Sequence, residues 1–142
     1  MKVKIQRMDA TLPLPRFETE GSVGFDFVVR EETVIAPHTI ALVPGNVIVE
    51  VPHEYMLVVS LRSSAPRKKG LLMPHGVGVI DHDYCGPQDE IKIQVYNFTD
   101  QLATIARGEK IAQRILVHID KAQWKEVSKI REKSRGGFGS TG

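Results

Sequence analysis

The sequence is most informative at first for what it lacks. There is one cysteine, Cys85. An internal disulfide framework and a multi-cysteine zinc site are both excluded, and a reducing cytoplasm is the expected compartment. No apolar run approaches the ~20 residues that cross a bilayer as a helix. No apolar core of a secretory signal follows Met1-Lys2-Val3-Lys4, so no membrane partner is expected. The net charge is only +2, too little to argue for nucleic acid as a partner. The histidines, at 38, 53, 75, 82 and 118, are scattered, and no His/Asp/Glu spacing resembles a zinc site. Internal repeats are missing. At 142 residues, 42 % hydrophobic and 25 % charged, the chain is neither disordered nor fibrous. It has the size of one ordinary domain with a tail.

What is present is alternation. Ile91, Ile93 and Val95 alternate with Lys92, Gln94 and Tyr96. The runs Val23–Val29, Thr39–Val43, Val47–Val51, Tyr55–Leu61 and Ile111–Ile119 read as further short strands. Pro44-Gly45, Pro52-His53 and Gly86-Pro87 punctuate them as turns. This spacing predicts an all-β sandwich, barrel or jelly roll. Helix is confined to one or two turns over Ser64–Gly70, with Pro66 near the start. For Lys121–Ser134 periodicity does not decide between helix and extended arm. An all-β domain of this size must deal with its edge strands, and oligomerisation is one solution.

Charge is uneven. Residues 121–142 carry six Lys/Arg against two Glu, while the rest of the chain sums to −2. The segment Gly136 to Gly142 is too glycine-rich to hold a fold, and its one large apolar group is Phe138. The expected division is a β domain over residues 1–130 and a flexible arm over 131–142.

Four constellations can carry chemistry, and each has a plainer reading. Arg62-Ser63-Ser64 follows an apolar strand. Its guanidinium and hydroxyls suit phosphate oxygens, or Ser64 is simply a helix cap. Gly76 to Gly86 runs an apolar strand into Asp81, Asp83 and Tyr84. A carboxylate there can deprotonate water, or the aspartates only shape a turn. Gly108 to Gln113 is a turn into a strand, with Gln113 facing either a ligand or solvent. Arg135 to Gly142 combines a cation, glycines and Phe138, suited to polyphosphate and base, or is a solvated tail.

Taken in order, the segments Gly21 to Phe27, Arg62-Ser63-Ser64, Gly78 to Gly86, Gly108 to Gln113 and Gly136 to Gly142 resemble the five motifs of the dUTPase family. The resemblance spans nearly the whole chain. It implies a jelly-roll-like (β-clip) subunit of a homotrimer, with shared active sites, one short helix and a flexible C-terminal arm. It also implies hydrolysis of dUTP to dUMP and pyrophosphate, which limits uracil in DNA and supplies dUMP for thymidylate synthesis. Mg2+ would ride on the triphosphate, with no metal held directly by the protein.

The resemblance further implies residue roles. Asp81 is the general base. Tyr84 packs under the deoxyribose. Gly78, Val79 and Ile80 read the uracil edge from a hairpin strand, with His75 and Lys92 nearby. Arg62, Ser63, Ser64 and Gln113 hold phosphates, and Asp26 orients metal-bound water or braces its own turn. Phe138 stacks on uracil, while Arg135, Gly139 and Ser140 close on the phosphates.

Three departures stand out. The stretch Tyr84–Asn97 is about three residues longer than the family's usual hairpin. His75 stands where relatives use other polar side chains. Lys133 takes the spacing usual for the arm's arginine, with Arg135 nearer to Phe138. The rival enzyme on this fold is dCTP deaminase, alone or bifunctional. Its proton-shuttling glutamate is replaced here by Gln94, and an amide cannot do that transfer. The non-enzymatic rival is a nucleotide-sensing protein.

Overall fold

β-branched and aliphatic residues at period two give strands wherever one face can be buried. The computed structural model, which describes residues 1–137 and 139, contains eleven of them among those residues. They are β1 (Lys4–Arg7), β2 (Phe25–Phe27), β3 (Thr33–Ile35), β4 (Ile40–Pro44), β5 (Val47–Glu50) and β6 (Tyr55–Leu61). After the helix α1 (Ala65–Lys69) come β7 (Leu71–Leu72), β8 (Gly78–Ile80), β9 (Lys92–Asn97), β10 (Ala103–Ile105) and β11 (Ala112–His118). The chain is all-β with one short helix.

Four antiparallel sheets result among the described residues: β1-β5, β10-β3, β2-β11-β6-β8 and β4-β9-β7. The longest pairing joins β6 and β11 over seven residues, from Leu61 opposite Ala112 to Tyr55 opposite His118. The ladders share one core, in which Phe27, Val29, Ile35, Leu57, Leu71, Ile93, Val95 and Ile105 are essentially inaccessible. The alternation in β9 is complete: Ile93, Val95 and Asn97 are buried, while Lys92 is exposed and Gln94 and Tyr96 are half-buried.

The helix forms where Ser64–Gly70 predicts it. Pro66 lies in its first turn, where its missing N–H is no loss. Gly70 ends it at φ 64°, donating its N–H to the Pro66 carbonyl at 3.0 Å.

Several expectations are corrected. The run Val23–Val29 yields only three paired residues, because Val29 bonds a turn instead: its N–H donates to the Glu109 carbonyl at 2.9 Å, and the Gly108 N–H donates to its carbonyl at 2.7 Å. The expected hairpin strand at Gly78–Ile80 does not pair with the strand that carries Lys92. β8 pairs with β6, β9 pairs with β4 and β7, and residues 81–91 cross between the two sheets. The segment after Ile119 forms neither helix nor strand through residue 137, and Trp124 and Ile130 are 93 % and 89 % exposed.

Two buried polar residues are opposites in satisfaction. The Asn97 amide donates to the carbonyls of Ile35, Ala36 and Gln101, and its oxygen accepts from the Thr99 N–H and hydroxyl. Arg114 lies fully buried over the Phe27 ring, 3.2 Å from the centroid, and no guanidinium nitrogen has a hydrogen-bond partner. Burial pushes its pKa down, against the opposing pull of Asp26.

Asn97→Ala removes three donated hydrogen bonds and the acceptor that holds the Thr99 N–H and hydroxyl, and is expected to lower stability by about 2–3 kcal/mol in urea titration. Arg114→Met, apolar and of similar reach, is expected to raise it by about 1–4 kcal/mol in the same assay. A loss on Arg114→Met would show that the guanidinium is a net stabiliser.

Candidate active site

The end of β6 places Arg62, Ser63 and Ser64 in a turn held by the Arg62 N–H, which donates to the Ile111 carbonyl at 2.9 Å. Ser64 occupies the helix cap position, yet its side chain makes no capping bond. Its hydroxyl is thus not consumed by the helix. Across the turn, β11 carries Gln113 opposite both Ser60 and Asp26. The Gln113 amide lies 3.5 Å from the Ser60 hydroxyl.

A cleft of ≈ 420 Å³ opens here, lined by Arg62, Ser64, Lys68, Lys69, Glu109 and Lys110 among others. Four of these side chains are cationic and one anionic, which suits a polyanion. Lys69 is tied to Glu109 at 2.9 Å and to the Thr104 carbonyl at 2.9 Å. Lys110 bonds Glu18, and that hydrogen bond holds the Glu18 carboxyl below its ordinary range. Asp26, with 10 % of its side chain exposed, faces the Arg62 guanidinium at 3.7 Å and the Lys110 ammonium at 3.9 Å. It orders the cations that line the cleft.

A second group forms around β8, the outer strand of its sheet. Gly78 is opposite Val59 and Ile80 opposite Leu57. With β6 on one side only, β8 leaves a row of backbone groups open on the other. His75 lies in the turn before it, and Gly78 leaves room for the Val59 side chain on the neighbouring strand, which a Cβ would meet at 3.2 Å. Asp81 and Tyr84 follow in a turn closed by the Tyr84 N–H, which donates to the Asp81 carbonyl at 3.3 Å. The Asp81 side chain is exposed, and Tyr84 is 40 % exposed. The rings of His53 and His82 stack beside this turn with centroids 4.3 Å apart.

These two groups occupy opposite ends of one strand. Ile80 is level with Leu57, and Arg62 lies five residues further along. At the rise of a β-strand, that separates the Asp81 turn from Arg62 by about 17–20 Å. One chain therefore does not bring its Asp81 to its own cationic cleft.

The remaining candidates are dispersed. Lys92 stands in the other sheet, opposite Pro44, and shares no ladder with Gly78–Ile80. Arg135 is exposed, and Gly139 has φ 90°. Phe138 and Ser140 lie outside the described residues. Sequence reasoning missed Lys110, Lys68 and Lys69 as cleft residues. The first sits inside the Gly108–Gln113 motif, three residues before Gln113. The other two form the basic last turn of α1.

Comparison with known proteins gives the family of the chain. A family model described as dUTPase matches residues 10–142. The deoxyuridine 5'-triphosphate nucleotidohydrolase of Helicobacter pylori strain J99 is 37 % identical over 144 residues, covering 100 % of this chain and 97 % of its own. That of Zymomonas mobilis is 36 % identical over 146 residues, covering 100 % and 98 %. The crystal structure of dUTPase from Streptococcus mutans superposes with TM-score 0.78 at 33 % identity, over 84 % of this chain and 98 % of that one. A Staphylococcus bacteriophage 80alpha dUTPase with dUpNHpp gives TM-score 0.85 at 23 % identity, over 99 % and 98 %, a likeness of fold alone. With a match of this extent on a jelly-roll-like subunit, the chain belongs to the dUTPase family.

Proposed function

We propose that this protein hydrolyses dUTP to dUMP and pyrophosphate, and that it does so as a homotrimer whose active sites are shared between chains. Family membership and relatives named as deoxyuridine 5'-triphosphate nucleotidohydrolases support the reaction. The observation that carries the sharing is the separation of the cationic cleft from the Asp81 turn along β6. A second copy supplies the missing half.

In this reading the triphosphate lies in the cleft of one chain, against Arg62, Ser63, Ser64 and Gln113, with Lys68 and Lys110 adding charge. The neighbouring chain presents β8 to the uracil edge, with His75 beside it, and Tyr84 to the deoxyribose. A ring packed on the sugar excludes a 2′-hydroxyl by shape, since a missing hydroxyl offers nothing to bond. Asp81 takes a proton from water as its oxygen attacks the α-phosphorus. The bond from the α-phosphorus to the α,β-bridging oxygen breaks, and pyrophosphate leaves with its charge held by the cleft cations. Residues 131–142 form the arm that closes over the nucleotide, with Phe138 on the base and Arg135 or Lys133 at the γ-phosphate. Gly139 and Ser140 complete the closure.

The triphosphate itself would hold magnesium, without a cage of protein side chains. No group of three or more His, Cys, Asp or Glu able to hold an ion exists among the described residues, and triphosphate oxygens are natural ligands for it. When bound, magnesium neutralises phosphate charge. Asp26 is the carboxylate that faces both Arg62 and Lys110, and it would accept from a water carried on the metal. In this reading the protein works in the cytoplasm, supplying dUMP and keeping uracil out of DNA.

Pyrophosphate release with magnesium is expected from dUTP and not from dTTP, UTP or dCTP. Deamination of dCTP would favour the rival enzyme, and comparable release from several nucleotides would overturn the assignment to dUTP. Asp81→Asn is expected to retain nucleotide binding with turnover down about 10²–10⁴-fold. Mixing Asp81→Asn chains with Arg62→Ala chains under subunit exchange should restore about a quarter of parental activity, the share of sites that receive neither lesion. A mixture as inactive as its components would place each site within one chain.

A further inference from the structure

The lengthened stretch after Tyr84 has no task in the mechanism above, yet hydrogen bonds tie it down at several points. The Gly86 N–H donates to the Asp89 carboxylate at 2.7 Å, and the Asp89 N–H donates back to the Gly86 carbonyl at 3.1 Å. This reciprocal pair closes a tight turn at the loop's tip. Beyond it, Glu90 points inward. It is 5 % exposed, and its carboxylate accepts three hydrogen bonds: from Arg30 Nε at 2.9 Å, from Arg30 Nη2 at 3.1 Å and from the Asn46 N–H at 2.9 Å.

A forked guanidinium and a backbone amide fix a carboxylate in both position and plane. The next residue, Ile91, is fully buried and bonded on both sides. Its N–H donates to the Val47 carbonyl at 2.9 Å, and its carbonyl accepts from the Gly45 N–H at 3.0 Å. The peptide that follows Glu90 is thereby held rigidly. Its carbonyl oxygen is the acceptor facing the Tyr84 hydroxyl, at 3.5 Å, the outer limit of a hydrogen bond. Tyr84 is otherwise 40 % exposed, on a turn whose own closing bond is a long 3.3 Å.

We propose that Glu90 is a positioning residue for sugar discrimination. Locked by Arg30 and Asn46, it sets the carbonyl that anchors the Tyr84 hydroxyl and so fixes the ring against which a ribose 2′-hydroxyl would collide. The extra residues of the loop let Glu90 reach inward while the Gly86–Asp89 turn takes up the slack. This inference rests on the sugar-packing role given to Tyr84 in the functional reading above.

The test measures kcat/KM for dUTP and for UTP in the parent, Glu90→Gln, Tyr84→Phe and the double variant, with thermal midpoints recorded alongside. Glu90→Gln removes the charge that grips Arg30, and Tyr84→Phe removes the hydroxyl. Each is expected to lower the dUTP-to-UTP ratio about tenfold, through a gain on UTP. The double variant is expected to fall no further than either single one, because both changes cut the same tether. A ratio in Glu90→Gln within about twofold of the parent, even with a lowered midpoint, would overturn the proposal and leave Glu90 a purely structural residue. Losses that multiply in the double variant would overturn it as well. A parent with no preference for dUTP over UTP would instead refute the functional reading, an outcome distinct from a parental preference that Glu90→Gln keeps. If Glu90→Gln does not fold, Arg30→Lys, which keeps the charge but loses the fork, carries the same comparison under the same criteria.

Discussion

The pairing of β6 with β11 is the constraint on which the rest depends. Seven consecutive register positions bind these strands. They set Gln113 beside Ser60 and Asp26 at one end, and towards the other they hold the strand that pairs with β8. The cationic cleft is built where β6 stops and the chain turns into α1. The carboxylate turn is built where β8 stops, in the opposite direction. Antiparallel pairing therefore decides both what is near what and what is kept apart.

Electrostatics around the cleft follow from the same frame. Asp26 sits on β2 opposite Gln113, and the strand register directs it at Arg62 and Lys110. An anion with little exposure among cations holds them ready for a polyanion while limiting their mutual repulsion. Arg114, one residue on from Gln113, faces the other way and is buried over Phe27. Successive residues on one strand thus serve the site and the core, as the two-residue period requires.

Much of this was legible in the sequence. Ser64–Gly70 announced its helix through Pro66 and Gly70, and the alternation from Ile91 to Tyr96 gave the buried face of β9. Four strands were not legible: β1 is polar and mostly exposed, and β3, β7 and β10 are only two or three residues long. The phosphate motif around Arg62 was recognisable by residue type. Lys110 was not, because its role comes from the turn that brings β11 back beside β6. The expected pairing of Gly78–Ile80 with the strand of Lys92 failed for a related reason. Adjacency in sequence suggested pairing, but Ile91 is claimed by Val47 and Gly45, and that draws the following strand into the other sheet. Register and sheet partner are long-range properties, and local pattern says little about them.

The division of functional groups along one strand also bears on dosage. On the shared-site reading, a newly made chain has no activity of its own. Catalysis appears only as copies find one another, so the rate rises more steeply than protein concentration until assembly saturates. Mass action then sets a threshold on expression below which the enzyme is silent, although every chain present is correctly folded.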